Sequence, residues 1–346
     1  MITPSGYLKR FDGNPIIEPE RQHQWESGQT FNPGAILLED KVHILYRAIG
    51  DDGISRFGYA ASEGGYEVEE RLESPVYEHA IPSSVFNVYS YSSGGSYGGA
   101  EDPRIVRVAG EDVIYLTYTA CDAGLSMAIT SITIEDFLSK KWNWAKPTLI
   151  SPPGQVHKNW VIFPEKINGK YAILHTLNPQ IMVSYHESMN LEPDGYLNSY
   201  NNGPANRPEN AWDSIIRGAG APPIKTELGW LLFYHAMTQS EYGKYKVGAM
   251  LLDLKNPSII IYRSANPVLE PTTVYETNGF KPGIIYLTGA VVKDGELLVY
   301  YGASDSYVCV ASCKLDEILD DLVGKNKNNR INLPKNTYIR FIGEQN

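Results

Sequence analysis

Apolar residues along this chain come in short runs broken by tight polar turns, and the runs repeat. An apolar strand, a turn, a second apolar strand ending in Tyr or His, a loop and then a small-residue strand recur five times. The copies are "GAILLEDKVHILYRA" with "RFGYAAS", and "PRIVRVAGEDVIYLTYTA" with "SMAITSI". Next come "WVIFPEKINGKYAILHT" with "IMVSYHES", "PPIKTELGWLLFYHA" with "YKVGAMLLDL", and "GAVVKDGELLVYYGA" with "YVCVASCKL". The turns carry Glu39-Asp40, Gly110-Glu111-Asp112, Asn168-Gly169, Leu228-Gly229 and Asp294-Gly295, several of them strong hairpin signals. Helical periodicity is confined to "TIEDFLSKKW" and "LDEILDDL".

The second strands end at Tyr46, Tyr118, His175, Tyr234 and Tyr300, spaced by 72, 57, 59 and 66 residues. An antiparallel unit of that length repeated radially is a propeller blade. The expected fold is therefore all-β, a single five-bladed β-propeller over residues 1–346, with the N- and C-terminal segments closing the ring. A pair of β-sandwiches is the alternative, but it needs no such phasing.

In a ring of blades, Arg47, Thr119, Thr176, His235 and Gly302 lie near one end of the central channel. Asn32, Arg56, Lys158, Asp213, Arg217, Tyr245 and Asp305 occupy comparable places. Loops converging from a rigid scaffold are where binding and catalysis are found.

The segment "GGAEDPR" (98–104) enters the first strand of the second copy. Its Asp102 is either a turn aspartate or a carboxylate aimed into a cleft. Alternation along a strand sends Glu101 to the other face and Arg104 to the same face as Asp102, where Arg104 would orient it. "SYSSGGSYGG" (90–99) is flexible by composition, a lid or an excursion.

Charge narrows the partners. A formal net charge of −10 over 346 residues argues against nucleic acid or an anionic membrane as the main partner. No apolar run reaches transmembrane length, and the N-terminus lacks a signal-peptide core, so a cytoplasmic location is expected. Three cysteines, Cys121, Cys309 and Cys313, make neither a disulfide framework nor a zinc site. The seven histidines are scattered, so no metal or cofactor is expected. A homo-oligomer is compatible with the sequence.

The chain has 24 Tyr and 6 Trp, side chains whose flat apolar faces suit sugar rings, although all-β proteins are rich in Tyr regardless. Nucleophile-elbow, P-loop and dinucleotide motifs are missing. An acid-lined, Tyr-rich cleft points first to glycosidic bond chemistry.

Together "GAEDPR", "FPEKINGKY", "PPIKTELGWLLFYH", "YKVGAMLLDL" and "VYYGASDS" make the chain resemble glycoside hydrolase family 130, the mannoside phosphorylases and mannosidases, over roughly residues 13–315. The resemblance implies the five-bladed propeller and inverting cleavage of β-mannosides. It makes Asp102 the general acid, its proton passing through a hydroxyl of the substrate mannose. Arg56, Lys158, His235 and Tyr245 match the set that holds inorganic phosphate, the co-substrate. Thr176 in "LHT" departs from the family's "LHR", which removes one cation from that set. Glu101, Arg104, Asp213, Asp305, Asn32 and Arg47 are the expected substrate-binding neighbours, with Asp305 on hydroxyls of the mannose and Trp212 beside Asp213 as a stacking platform.

The leading expectation is phosphorolysis to α-mannose 1-phosphate, which needs no general base. A hydrolase on the same scaffold, with Asp213, Glu241 or another acid as base, is the alternative. A non-catalytic sugar-binding propeller is the third reading.

Overall fold

A computed structural model describes residues 8–80, 91–122, 124–191, 195–197 and 207–324. The chain is mostly β, and its strands fall into five antiparallel groups that follow the five sequence copies. The first contains β2 (Gln29–Leu38), β3 (Lys41–Ile49), β4 (Ile54–Ser62) and β5 (Glu70–Arg71). The second contains β6 (Gly98–Arg107), β7 (Val113–Cys121), β8 (Leu125–Thr133) and β9 (Thr148–Leu149). Two parallel pairs, Ile54 with Gly98 and Ser55 with Gly99, join these groups into one eight-stranded sheet.

The third group is β10 (Val161–Ile162), β11 (Tyr171–Thr176) and β12 (Met182–His186). In the fourth, β13 (Ile215–Ala219) and β14 (Ile224–Thr226) both pair with β15 (Gly229–Met237), followed by β16 (Lys246–Leu252) and β17 (Ile260–Arg263). The fifth holds β18 (Ile285–Lys293), β19 (Glu296–Ala303) and β20 (Tyr307–Lys314). Its outer edge is covered by β1 (Lys9–Arg10), which pairs Lys9 with Ser312. Both expected helical stretches form, as α1 (Ile134–Leu138) and α3 (Leu315–Gly324); a third helix, α2 (Val274–Thr277), carries a capping box from Thr273 and Glu276.

The turn chemistry explains the hairpins. Glu39 and Asp40, Asn168 and Gly169, and Asp294 and Gly295 all have positive φ at both central positions, which matches the twist of the flanking strands. The Tyr that ends a second strand also has a packing purpose. Tyr46 lies opposite Gly58 and Tyr234 opposite Gly248 across the ladder. A Cβ on Gly58 would come within 2.3 Å of the Tyr46 ring, and one on Gly248 within 2.4 Å of the Tyr234 ring. The small-residue third strand is therefore the seat of the aromatic ring. The hydroxyls are satisfied too: Tyr46 donates to Glu26, Tyr234 to Asp213 and Tyr300 to the Gly65 carbonyl. Much of the tyrosine abundance is thus core construction.

Five apolar clusters fill the spaces between groups, and each joins two of them. Leu45 and Tyr59 meet Ile105 and Leu116; Val106 and Ile129 meet Trp160 and Ile173; Leu174 meets Leu232 and Met250. Phe233 and Leu251 meet Leu287 and Val299, and Ile44 and Tyr46 meet Leu298 and Val310. First touches second, second third, third fourth, fourth fifth, and fifth first. Among the described residues, no helix is long and apolar enough to cross a membrane.

Candidate active site

The first strands of four groups each carry a register shift near one end. It falls between Phe31 and Gly34, between Glu101 and Arg104, between Ile216 and Gly218, and between Leu287 and Gly289. A bulge re-aims the side chains it contains. Asn32 and Asp102 sit in two of these bulges with φ of 46° and 54°, and Asn159, just before β10, has φ of 68°. Left-handed backbone is tolerated by Asn and Asp because their short polar side chains bond locally. Here it turns three polar groups into one cavity of about 350 Å³.

Asp102 is the centre of that cavity's chemistry. Its Oδ1 accepts from Asn32 Nδ2 at 2.8 Å and from Arg47 at 3.2 Å, and Lys158 Nζ stands 3.9 Å from Oδ2. Burial pushes the Asp102 carboxyl up, but Lys158, Arg47, Arg104 and the Asn32 bond outweigh it and hold it down at about 2. In the ligand-free protein it is a carboxylate.

Glu101 does not face away, as strand alternation predicts. The left-handed turn at Asp102 brings both carboxylates to one guanidinium, with Glu101 Oε1 at 2.9 Å from Arg47. Glu101 also accepts from Lys158 at 2.7 Å and from Ser93 Oγ at 2.5 Å. Burial raises its pKa, and Arg47 and Lys158 more than reverse that. Arg104 likewise departs from its expected pairing: it donates to the Asp102 backbone carbonyl at 2.8 Å, not to the carboxylate. Its other donors hold Gly220 O and Asn159 Oδ1, so it ties the second group to the third and fourth.

Of the expected phosphate set, Lys158 and Tyr245 line the cavity and two residues do not. Arg56 is turned to the surface, where Asp52 (2.6 Å) and Glu78 (2.9 Å) hold its guanidinium. His235 is fully buried beneath Tyr286, ring on ring at 4.0 Å and 7°, and donates Nε2–H to the Leu287 carbonyl. Burial and the nearby Arg104 lower its pKa to about 3, so it is a neutral support for Tyr286.

Asp213 is also outside the cavity. It is fully buried and accepts from Arg207 (2.8 Å), Tyr234 (2.8 Å) and Arg263 (3.2 Å). Trp212 packs on Tyr234 at 5.9 Å. Glu241 is held by Lys244 and Lys246. We expect Asp213→Asn to lower stability by about 3 kcal/mol while leaving the KM for sugar and for phosphate unchanged, which a thermal melt beside steady-state kinetics checks.

Asn159, Tyr286 and Lys281 carried no sequence expectation, and Arg217 was expected only near this end of the channel, without a named role. Asn159 Oδ1 accepts from Tyr286 at 2.5 Å and from Arg104 at 2.8 Å. Arg217 reaches the wall from the bulge in β13, its Nε donating to Tyr245 Oη at 2.8 Å. Among the described residues no carboxylate pairs with it. Lys281 approaches Asp305 at 3.4 Å, and burial raises the Asp305 carboxyl. The signal for Asn159 was available: "KNWV" enters its strand as "FNPG" and "EDPR" enter theirs. The wall thus presents Lys158, Arg217 and Lys281 against Asp102 and Asp305, a cationic excess inside an acidic chain.

The segment 91–99 is not a loose excursion. Arg47 donates to the Ser93 carbonyl and to Ser96 Oγ, Lys158 bonds Ser93 Oγ, and Lys281 donates to the Ser92 carbonyl at 2.7 Å. Residue 90 lies outside the described residues. No group of three or more His, Cys, Asp or Glu side chains among the described residues is placed to hold a metal ion.

A family profile for glycoside hydrolase family 130, described as beta-1,4-mannooligosaccharide phosphorylase, matches residues 7–323. The chain belongs to that family. It is similar to a 1,2-beta-oligomannan phosphorylase of Thermoanaerobacter sp. (strain X514), with 34% identity over 90% of this chain and 98% of the relative. A beta-1,2-mannobiose phosphorylase of the same organism is 32% identical over 90% of this chain and 98% of its own. The structure of the beta-1,2-mannobiose phosphorylase of Listeria innocua shares the fold, with a TM-score of 0.68 and 23% identity, covering 91% of this chain and 99% of that one.

Proposed function

We propose that the chain is a β-mannoside phosphorylase that cleaves its substrate with inversion to give α-mannose 1-phosphate. The observation that carries this reading is Arg217, a cation without a carboxylate partner among the described residues, on the same wall as Lys158. Arg217 is exposed on the cavity wall, and with Lys158 on the same wall it can give an anion charge-assisted hydrogen bonds. Asn159, Thr176, Tyr245 and Tyr286 add neutral polar groups on that wall. Thr176 supplies a hydroxyl where the family pattern has a cation, and Arg217 makes up the charge.

In this reading Asp102 is the general acid. Asp305 takes hydroxyls of the mannose, while Asn32 holds Asp102 through Nδ2 with its Oδ1 packed on Gly302. Glu101, Arg47 and Arg104 hold Asp102 in place without touching substrate. The C1–O bond to the leaving sugar breaks as phosphate oxygen bonds C1 from the opposite face. The proton that phosphate brings balances the one that the leaving alcohol gains. No base is required, and neither Asp213 nor Glu241 is placed to act as one.

The named relatives support β-1,2-linked manno-oligosaccharides as the first substrates to try. The five-bladed propeller as a single domain belongs to the same proposal, supported by the cyclic order of the apolar clusters and the pairing of β1 with β20. So does a cytoplasmic setting, where Cys121, Cys309 and Cys313, all free, stay reduced.

The test is incubation with β-1,2-mannobiose with and without inorganic phosphate. Mannose 1-phosphate forming only with phosphate is the expected result, and free mannose at equal rates in both tubes would overturn it in favour of a hydrolase. Arg217→Met should then raise the KM for phosphate roughly 10- to 100-fold, the worth of a charge-assisted bond, with little change in the KM for the mannoside.

A further inference from the structure

Outside the cavity, the exposed rings Tyr91, Tyr97 and Phe280 sit together on its lip. Tyr91 stacks on Tyr97 at 5.5 Å and 18°, and meets Phe280 edge-on at 6.2 Å and 85°. They are 47%, 38% and 42% exposed. The other strongly exposed aromatics, Tyr185, Tyr196 and Tyr242, have no ring neighbour among the described residues, so the grouping is local. We propose that Tyr91, Tyr97 and Phe280 form a distal sugar-binding ledge for the outer pyranose rings of a manno-oligosaccharide whose terminal residue occupies the cavity. The inference rests on the proposed function for the identity of the sugar.

Three features carry it. The ledge is continuous with the cavity, because Ser92, Ser93 and Lys281 on the cavity wall directly follow Tyr91 and Phe280 in the chain. It is built rather than incidental. Lys281 ties its two segments by donating to the Ser92 carbonyl, Gly95 N–H bonds Tyr91 O at 2.8 Å, and Phe280 N–H bonds Ser306 Oγ at 2.8 Å. Two glycines seat the rings: a Cβ at Gly95 would meet Phe280 at 2.7 Å, and one at Gly53 would meet Tyr97 at 2.7 Å. Finally, the chemistry suits a pyranose, whose C–H face lies on an aromatic ring while its hydroxyls reach polar neighbours. The serines and Lys281 at the foot of the ledge supply those neighbours. The ledge lies outside the residues that line the cavity, so it acts on longer chains.

Phe280→Ala and Tyr91→Ala test this with β-1,2-mannobiose, -mannotriose and -mannotetraose. Two readouts are taken: KM in phosphorolysis, and Kd by calorimetry on the phosphate-free protein. Both constants for the triose and tetraose should rise roughly five- to tenfold, the worth of a lost ring contact, with the biose values almost unmoved. Tyr91→Phe, which keeps the ring, should behave as the native chain. If either alanine variant melts early, Phe280→Leu is read instead, since it keeps the apolar packing on Gly95 and lacks the flat face. An equal shift at every chain length, no shift at any, or a dimer in the native chain that the variants dissolve would each overturn the ledge. Failure of the native chain to make mannose 1-phosphate would refute the phosphorylase, while the calorimetric dependence on chain length would still judge the ledge.

Discussion

Asp102→Asn should lower kcat/KM for phosphorolysis by roughly 10²- to 10⁴-fold, the usual contribution of a positioned general acid, with a fall in melting temperature smaller than that of Arg47→Met, as the buried carboxylate is lost from Arg47. The amide keeps the Asn32 contact as an acceptor at Oδ1 but has no proton to give. Release of mannose 1-phosphate, measured beside a melt, checks both halves. A sugar-binding protein without catalysis would instead show no turnover in either form. The pH dependence carries a second part of this prediction. Lys158, Arg47 and Arg104 keep the free carboxyl at about 2, so at neutral pH it enters the cycle unprotonated. Phosphate beside Lys158 weakens that hold and carries an acidic proton of its own. Activity should therefore fall on the alkaline side as dihydrogen phosphate gives way to hydrogen phosphate, whose remaining proton is too weakly acidic to reach Asp102, and a profile of kcat/KM for phosphate against pH would show the limb.

The largest effect on stability is expected from Arg47→Met. The guanidinium is fully buried over the Phe31 ring at 4.6 Å, between Glu101 and Asp102, and also holds Ser55 and Ser96. Its removal leaves two buried carboxylates sharing Lys158. Breaking a buried pair from one side costs about 3–5 kcal/mol, which for a chain of this size is on the order of 10 °C in melting temperature. The pH sign follows from the depressed carboxyls. Glu101 and Asp102 have folded values below their ordinary 4.5 and 3.8, so their stabilisation is complete above those values and is lost as pH falls toward about 2. Without Arg47 both sit higher in the folded state, and the midpoint of acid unfolding should move up in pH. A variant that unfolds at the native pH would show that the guanidinium does not hold these carboxylates down.

The strands were legible because turn chemistry and apolar runs are local: Asn168-Gly169 and Asp294-Gly295 announce their hairpins without help from the rest of the chain. That Asp102 enters the cavity was legible through its neighbours in sequence. Its surroundings were not, because a bulge breaks the alternation that a strand pattern assumes. Glu101 was therefore assigned to the wrong side of its strand, and Arg104, expected on the Asp102 carboxylate, bonds the Asp102 carbonyl instead. Arg56 was misplaced for another reason: Asp52, one turn of loop away, captures it before it can reach the cavity. His235 ends up under a ring contributed by a different group, a contact between residues 235 and 286 that no local pattern encodes. The repeat placed Arg217 near the channel end, but its reach to the cavity wall comes from a bulge like those of Asn32 and Asp102, which the strand pattern does not show.

The strap formed by β1 has a consequence for how the fold is reached. Lys9 and Arg10 pair with strand β20, about 300 residues later, and Arg10 also clasps Glu276 at 2.7 Å. A segment synthesised ahead of every other described strand is thus among the last to find its place. Until β20 has been synthesised it has nowhere to dock, and Leu8, which belongs to the cluster between the fourth and fifth groups, stays in water. Contacts of such sequence separation form slowly. Molecules interrupted late in translation would carry four finished groups, an open edge and a loose leading strand that could pair with a neighbouring chain.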